Sequence, residues 1–330
     1  MTGHVIRRRA FITVLGGAAA AWPLAARAQQ RPAVPVVGYL RAGGPPSVDG
    51  LVAFRRGLNE LGFVEGRNVA IALRWAEQYD RLPALAAELV GLRVPVIFAN
   101  NLAAALAAKN ATTTIPIVFQ IGGDPIRDGI VTSLSRPSGN LTGVTAFDGE
   151  LLPKRLELLR ELVPAADVIA VLINPNNPNL ETRMKDVQEA ARTVGQHILV
   201  LNAGSETDIA TAFATMVQQG AAALLVADDP YFSTRREQIL ALAARHAIPA
   251  SYSTPYYVTA GGLMSYGSSP NDNSHQAGLY VGHSLKGEKP TDLPVMQPTK
   301  FDFVINLKTA KALGLTFPPS FHLRATEVIE

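Results

Sequence analysis

Cysteine is absent from this chain. Disulfides, thiol nucleophiles and cysteine metal sites are therefore excluded. The six histidines, His4, His197, His246, His275, His283 and His322, show no metal-ligand spacing, so neither a metal nor a cofactor is expected. Charge of one sign is also scarce. Thirty Lys+Arg face 27 Asp+Glu, a net charge of +3. Three of the positive charges are Arg7-Arg8-Arg9, in a segment read below as removed. The remainder is about neutral, and nothing points to nucleic acid. The apolar stretch 11–22 is too short to span a membrane. No Walker motif occurs, and no G-x-G-x-x-G follows the first strand. Gly262-Leu263-Met264-Ser265-Tyr266-Gly267 misses G-x-S-x-G because Leu263 stands where glycine is needed. An exported α/β hydrolase would lack a convincing nucleophile and base.

What is present is an ordinary globular composition, 48% hydrophobic and 17% charged, in 330 residues. That length accommodates two domains with sizeable cores. The amino terminus has three signal regions in order. Arg7-Arg8-Arg9 is basic, 11–22 is apolar, and Ala26-Arg27-Ala28 fits small-x-small cleavage. Residues 1–28 are expected to be a cleaved signal peptide, placing the mature chain in the periplasm. Arg8-Arg9-Ala10-Phe11-Ile12 resembles the twin-arginine export motif; a general secretory signal is the alternative.

The rest reads as strand-helix units. Apolar runs at 34–40, 69–75, 95–98, 116–121 and 141–145 predict strands. Leu51, Phe54, Leu58 and Leu61 form a helical stripe, as do Leu82, Leu85, Leu89 and Leu92. Gly62 suits the end of the first of these helices, and 102–111 predicts another helix. This alternation is the pattern of a parallel, doubly wound α/β sheet. The pattern restarts near 146–150. Strands at 168–173, 198–201, 224–227 and 250–253, with helices between, predict a second, similar lobe. A strand at 263–267, a helix at 271–286, an extended segment at 290–298 and a final strand-helix at 301–313 complete the chain. The expected partition is 34–147 plus 256–290 for the first lobe and 148–255 plus 291–330 for the second. The chain then crosses between lobes three times and makes a hinge that bends without letting the lobes separate.

Residues 116–131, PIVFQIGGDPIRDGIV, organise the expected site. A buried strand runs into Gly122-Gly123, then Asp124-Pro125 reads as an N-cap followed by proline at the first helical position. Ligands of open α/β sheets sit beyond the carboxyl ends of the strands. Gly122 and Gly123 would let a ligand approach the backbone. Asp124 would cap the helix, whose exposed N–H groups suit a carboxylate. The same device recurs at Asp228-Asp229-Pro230. There Asp229 is the expected cap, while Asp228 either meets a ligand ammonium or is a solvated loop acid. Asn100 and Asn101 end the third strand, and Asn101 suits both a cap and a ligand contact. Asn174 ends the first strand of the second lobe; turn chemistry alone also explains it. Tyr252, Tyr256, Tyr257 and Tyr266 cluster near the hinge, as cleft aromatics or as packing. Arg41 either meets a carboxylate in forked geometry or is solvated. The charged face of helix 152–163, with Lys154, Arg155, Glu157, Arg160 and Glu161, reads as a solvated surface.

Several segments carry a family likeness. They include Leu61-Gly62-Phe63-Val64-Glu65-Gly66-Arg67-Asn68-Val69, Arg136-Pro137-Ser138-Gly139-Asn140-Leu141-Thr142-Gly143 and Ala260-Gly261-Gly262-Leu263-Met264-Ser265-Tyr266-Gly267. Gln297-Pro298-Thr299-Lys300-Phe301 and Val304-Ile305-Asn306-Leu307-Lys308 extend it. The mature chain resembles the ABC-transporter substrate-binding proteins that include the tryptophan-binding-like receptors. The resemblance implies a type I periplasmic binding protein fold: two Rossmann-like lobes, three interlobe crossovers, a ligand cleft between lobes, and no catalysis. It implies an importer component that binds a small carboxylate-bearing solute, an amino acid or aromatic acid, and hands it to an ABC permease and its ATPase subunit. The expected protein is a monomer without nucleic-acid partners. A periplasmic receptor signalling to a membrane protein is the alternative. The chain departs from its relatives at Asn100-Asn101-Leu102, where a Gly-Thr or Ser/Thr-Pro turn is usual, and at Asn273-Ser274-His275.

Overall fold

Residues 34–147, 151–178 and 180–330 are described by a computed structural model of the chain. The expected signal peptide, 1–28, lies outside them. Five parallel strands build the first sheet: β1 (Val36–Ala42), β2 (Ala70–Ala76), β3 (Val96–Asn100), β4 (Ile117–Ile121) and β5 (Leu141–Thr145), in the order β2-β1-β3-β4-β5. Every residue of β3 is buried, as a central parallel strand covered on both faces requires. The covering helices include α1 (Val48–Glu60), α2 (Leu82–Gly91) and α3 (Leu102–Ala111). Ser47 caps α1 by accepting from the Gly50 N–H, and Phe54 and Leu58 bury its apolar stripe. Gly62, at φ +91°, ends it. The Gly62 and Phe63 N–H groups donate back to the Asn59 and Leu58 carbonyls, a Schellman closure that needs a residue in the left-handed region.

The second sheet has seven strands in the order β12-β11-β10-β9-β8-β6-β7. They are β6 (Val168–Ile173), β7 (His197–Asn202), β8 (Ala223–Val226), β9 (Ala250–Tyr252), β10 (Met264–Ser268), β11 (Phe301–Asn306) and β12 (Glu327–Ile329). All pairings are parallel except β10 with β11. Its helices are α4 (Leu152–Leu162), α5 (Leu180–Thr193), α6 (Glu206–Gln218), α7 (Pro230–Thr234), α8 (Arg236–Arg245) and α9 (Pro255–Thr259). After α10 (Pro270–Leu285) come α11 (Leu307–Ala312) and α12 (Pro319–Arg324). Apolar clusters cover both faces of each sheet.

Three expectations change. The helix expected after Asp124-Pro125 does not propagate. Asp124 accepts from the Ile126 N–H at 2.8 Å, but Gly129 adopts φ +68° one turn later. The Gly129 and Ile130 N–H groups then bond back to the Ile126 and Pro125 carbonyls. A Schellman closure thus ends the helix after one turn, and no helix N-terminus is left to hold an anion. Secondly, the lobe boundaries move. Met264–Ser268 pairs with β9 and β11 in the second sheet, not the first. The chain crosses at Ser269, and it is α10 that returns to the first lobe. Residues up to Met296 stay there: Met296 accepts from the Thr145 N–H and donates to the Gly143 carbonyl, both at 2.9 Å. Apolar burial decides this, since four of the five β10 residues are buried between neighbouring strands. Thirdly, Arg155 is fully buried within α4 rather than solvated.

What holds α10 to the first lobe is a backbone contact with α1. A Cβ on Gly57 would lie 2.2 Å from the His275 carbonyl oxygen, and one on Gly278 would lie 2.1 Å from that of Phe54. The two helices touch where neither carries a side chain. Gly57→Ala or Gly278→Ala must push them apart, an overpacking expected to cost about 1–3 kcal/mol. Urea unfolding of each variant against wild type measures it; an unchanged midpoint would contradict the contact.

Candidate ligand-binding site

The carboxyl ends of β1, β3 and β4 face α5, α7 and the β8–α7 turn across a cavity of about 520 Å³. That volume suits a ligand of amino-acid to drug size. From the first lobe, Arg41 leaves the end of β1 and donates to the Asn100 side-chain oxygen and the Gly44 carbonyl. Asn100 in turn donates to Gln120 at 3.2 Å, and Ser274, on α10, donates to the same Gln120 oxygen at 3.4 Å. Four elements therefore lock one polar floor. Asn101 sits beside it at φ +114°, a conformation that costs a non-glycine residue free energy. Its side chain offsets that cost on both ends: the oxygen caps α3 at the Ala104 N–H, 3.0 Å, and the amide donates to the Ala42 carbonyl, 3.1 Å.

The second lobe contributes charge. Asp228 follows β8 by two residues and accepts from the Ser253 hydroxyl at 3.2 Å. Arg183, on α5, lies 3.8 Å from the Asp228 carboxylate and also donates to its backbone carbonyl. The Arg183 side chain is 9% exposed, and its Nε has no hydrogen-bond partner. Beside them Asp229 is almost fully buried. It accepts from the Tyr231 N–H at 2.8 Å, so it is the cap of α7, and from the amides of Asn174 at 2.9 Å and Asn177 at 2.7 Å. Burial raises the Asp229 pKa, and the Asn174 and Asn177 hydrogen bonds work against it.

The lobes meet around this cavity. Tyr79, from the turn after β2, donates to the Asp229 carboxylate at 3.2 Å. Its phenol is pushed up by burial and then by the Asp229 charge. Glu77 pairs with Arg235 at 2.9 Å, and Arg127 with Asp186 at 3.3 Å. Gly43 lies so close to α7 that a Cβ there would be 2.8 Å from the Pro230 carbonyl oxygen. At the hinge the Tyr256 hydroxyl donates to Asn271 at 2.9 Å. These contacts define a closed arrangement.

Of the expected site residues, Arg41, Asn100, Asn101, Gly122 and Asp228 line the cavity together, and Tyr256 joins them. Five do not line it. The Gly123 carbonyl accepts from the Thr145 hydroxyl at 2.6 Å, and Asp124 caps its own turn. Asn174 is occupied by Asp229 and by the Asn176 N–H. Tyr252 is buried in a stack with Tyr257, centroids 4.5 Å apart, and Tyr266 stacks on Phe301. Sequence reasoning missed Tyr79, Gln120 and Arg183. Arg183 had a signal: with Val187 and Ala191 it forms the buried stripe of α5, and a cation on such a stripe needs a partner.

The model of the family described as ABC transporter substrate binding protein matches residues 45–329. The chain belongs to this family. It is a solute-binding protein of the ABC-transporter type. It is 26% identical over 272 residues to the tyrosine-binding protein of Clostridioides difficile, covering 82% of this chain and 78% of that one. Among solved structures, the ABC domain from Streptococcus pneumonia in complex with L-Trp is 26% identical, with a TM-score of 0.80 over 89% of this chain and 99% of that one. A conserved domain protein from Vibrio cholerae has the same identity and coverage and a TM-score of 0.81. The family description agrees with the cleft as a place of binding.

Two substitutions test the wall built on Asp229. Asp229→Ala removes a helix cap worth about 1 kcal/mol and strands buried donors at about 1–3 kcal/mol. A loss of about 2–4 kcal/mol in chemical unfolding is expected. Tyr79→Phe leaves the other donors in place and breaks the contact across the cleft. It is expected to change stability by less than about 1.5 kcal/mol and to raise the radius of gyration in small-angle scattering. An unchanged radius would mean that other contacts hold the lobes shut.

Proposed function

We propose that this protein is the extracytoplasmic receptor of an ABC importer. It binds a small carboxylate-bearing solute, an amino acid or aromatic acid, between its lobes and delivers it to a membrane permease driven by a cytoplasmic ATPase. The observation that carries this reading is the cavity of about 520 Å³ walled by both lobes, with arginines from each. Relatives of known ligand, one complexed with L-Trp and one named for tyrosine, support an organic acid of that size. A ligand touching both walls binds the closed form better than the open one, and that difference is what shifts the equilibrium. A permease can then distinguish the loaded receptor by shape. No helix among the described residues is long and apolar enough to cross a membrane, and the basic-apolar-small order of 1–28 supports export of the chain to the periplasm.

Thermal-shift screening of the chain beginning at Gln29, against the proteinogenic amino acids and a set of aromatic acids, tests the ligand class. At least one compound is expected to raise the melting temperature by several degrees, since saturation at 100 times Kd adds about 2.7 kcal/mol. Uniform failure would remove the class. The export route is tested separately by cell fractionation. The twin-arginine reading expects the double variant R8K/R9K to leave the precursor in the cytoplasm; unimpeded export would assign the general secretory route instead.

A further inference from the structure

The charged side chains that line the cavity do not all pair off, and the ones left over narrow the ligand. Four arginines line it, Arg41, Arg183, Arg235 and Arg236, against two acids, Glu77 and Asp228. Each acid is already engaged. Glu77 is paired with Arg235 at 2.9 Å, and Glu206, outside the lining, also meets Arg235 at 2.9 Å. Asp228 takes the Ser253 hydroxyl on one oxygen and faces Arg183 at 3.8 Å with the other. Asp229, the third acid nearby, is buried under its amide, backbone and phenol donors. No lining carboxylate is therefore left over for an ammonium group. The cations are in the opposite position. Among the described residues Arg41 and Arg236 have no acid within salt-bridge distance; the partners of Arg41 are neutral oxygens. Arg183 keeps a buried Nε with no acceptor although one acid is beside it.

We infer that the solute carries net negative charge: a carboxylate with no compensating ammonium, held between Arg41 of the first lobe and Arg183 of the second. This rests on the carboxylate reading of the cleft given above. The physical reason is desolvation. Closing the lobes strips water from the arginines, and a cation removed from water is costly unless an anion or an acceptor replaces the water. A zwitterion brings an anion but also a cation, which must then sit in a cleft where Arg41 and Arg236 already lack an acid and each lining acid is engaged. A deaminated acid brings only the charge that is missing. Guanidinium groups suit it, since they can hold a carboxylate in forked geometry.

Isothermal titration calorimetry on the mature chain with matched pairs decides the matter. The pairs are L-tryptophan with indole-3-propionate, L-tyrosine with 3-(4-hydroxyphenyl)propionate and L-phenylalanine with 3-phenylpropionate; each pair differs only by the amine. 3-Phenylpropionamide serves as a neutral control. The expected result is that the tightest binder is a deaminated acid, at least about tenfold tighter than its parent amino acid. An amino acid binding more tightly than its deaminated partner would overturn the inference and leave the carboxylate reading intact. Binding by the neutral amide alone, or by no compound that carries a carboxylate, would remove the carboxylate reading and the inference with it. A variant adds a second readout. Arg41→Gln removes one of the two cations and keeps a donor for the Asn100 oxygen. It is expected to weaken the deaminated acid at least about tenfold; unchanged affinity at an unchanged melting temperature would overturn the inference.

Discussion

The second wall of the cleft depends on one buried carboxylate. Asp229 cannot be moved from water into the interior without a large cost unless its oxygens are fully engaged. Here they are. A backbone N–H at the start of α7, two asparagine amides from the β6–α5 turn and a tyrosine hydroxyl from the other lobe all point at it. Each partner is thereby fixed as well. The Asn174–Asn177 turn, the start of α7 and the end of β8 become one rigid corner, and Asp228 and Arg183 stand at its edge. The cost of burial is the reason for the order: a cheaper neutral cap would hold α7 but would not gather two other segments.

The first wall is held by a different kind of constraint. Its polar floor runs from the Arg41 cation through the neutral Asn100 and Gln120, with Ser274 arriving from α10. Ser274 can arrive because the second crossing lies at Ser269, and because α10 lies against α1 at Gly57 and Gly278. Backbone approach rather than side-chain packing sets that distance, so a helix late in the chain is placed as firmly as one early in it. Fold and site are coupled here through two glycines that never touch the cavity.

Much of this was legible in the residues. Strand and helix periodicity located both sheets because parallel strands covered on two faces read as continuous apolar runs. The Asp-Pro signal succeeded at Asp229 and failed at Asp124 for a reason visible only in three dimensions. Both residues cap a following turn, yet Gly129 closes the first turn at once, whereas Pro230–Thr234 is carried on by its packing and by the charge anchored at its start. Asn174 was singled out as a strand-end polar residue and is one, but its amide is spent on Asp229. Strand-end position shows that a side chain is near the cleft; it does not show whether a protein partner reaches it before a ligand does. Tyr79 and Gln120 lay beyond reach for a similar reason, since their partners are 150 and 20 residues away. The lobe boundary was missed because a five-residue strand carries no mark of the sheet it will join. Burial between β9 and β11 decided it, and that is a tertiary fact.

The two walls divide the work of recognition between them. Neutral hydrogen bonding fixes the orientation of Arg41 without consuming its charge, because Asn100 and Gly44 offer oxygens but no countercharge. On the facing wall Asp228 sits near Arg183 at 3.8 Å, close enough to hold the guanidinium in place and too far for a tight ion pair. Both arginines are thus positioned before any ligand arrives, which spares the rotamer entropy that ordering two long side chains would otherwise cost on binding. Closure then lowers the local dielectric around charges that cannot rearrange, and the same attraction is worth several times more in the shut cleft than in the open one. A receptor built this way needs few polar contacts. On the proposed reading, its selectivity comes from charge already in place, and its closure from both walls acting on one solute.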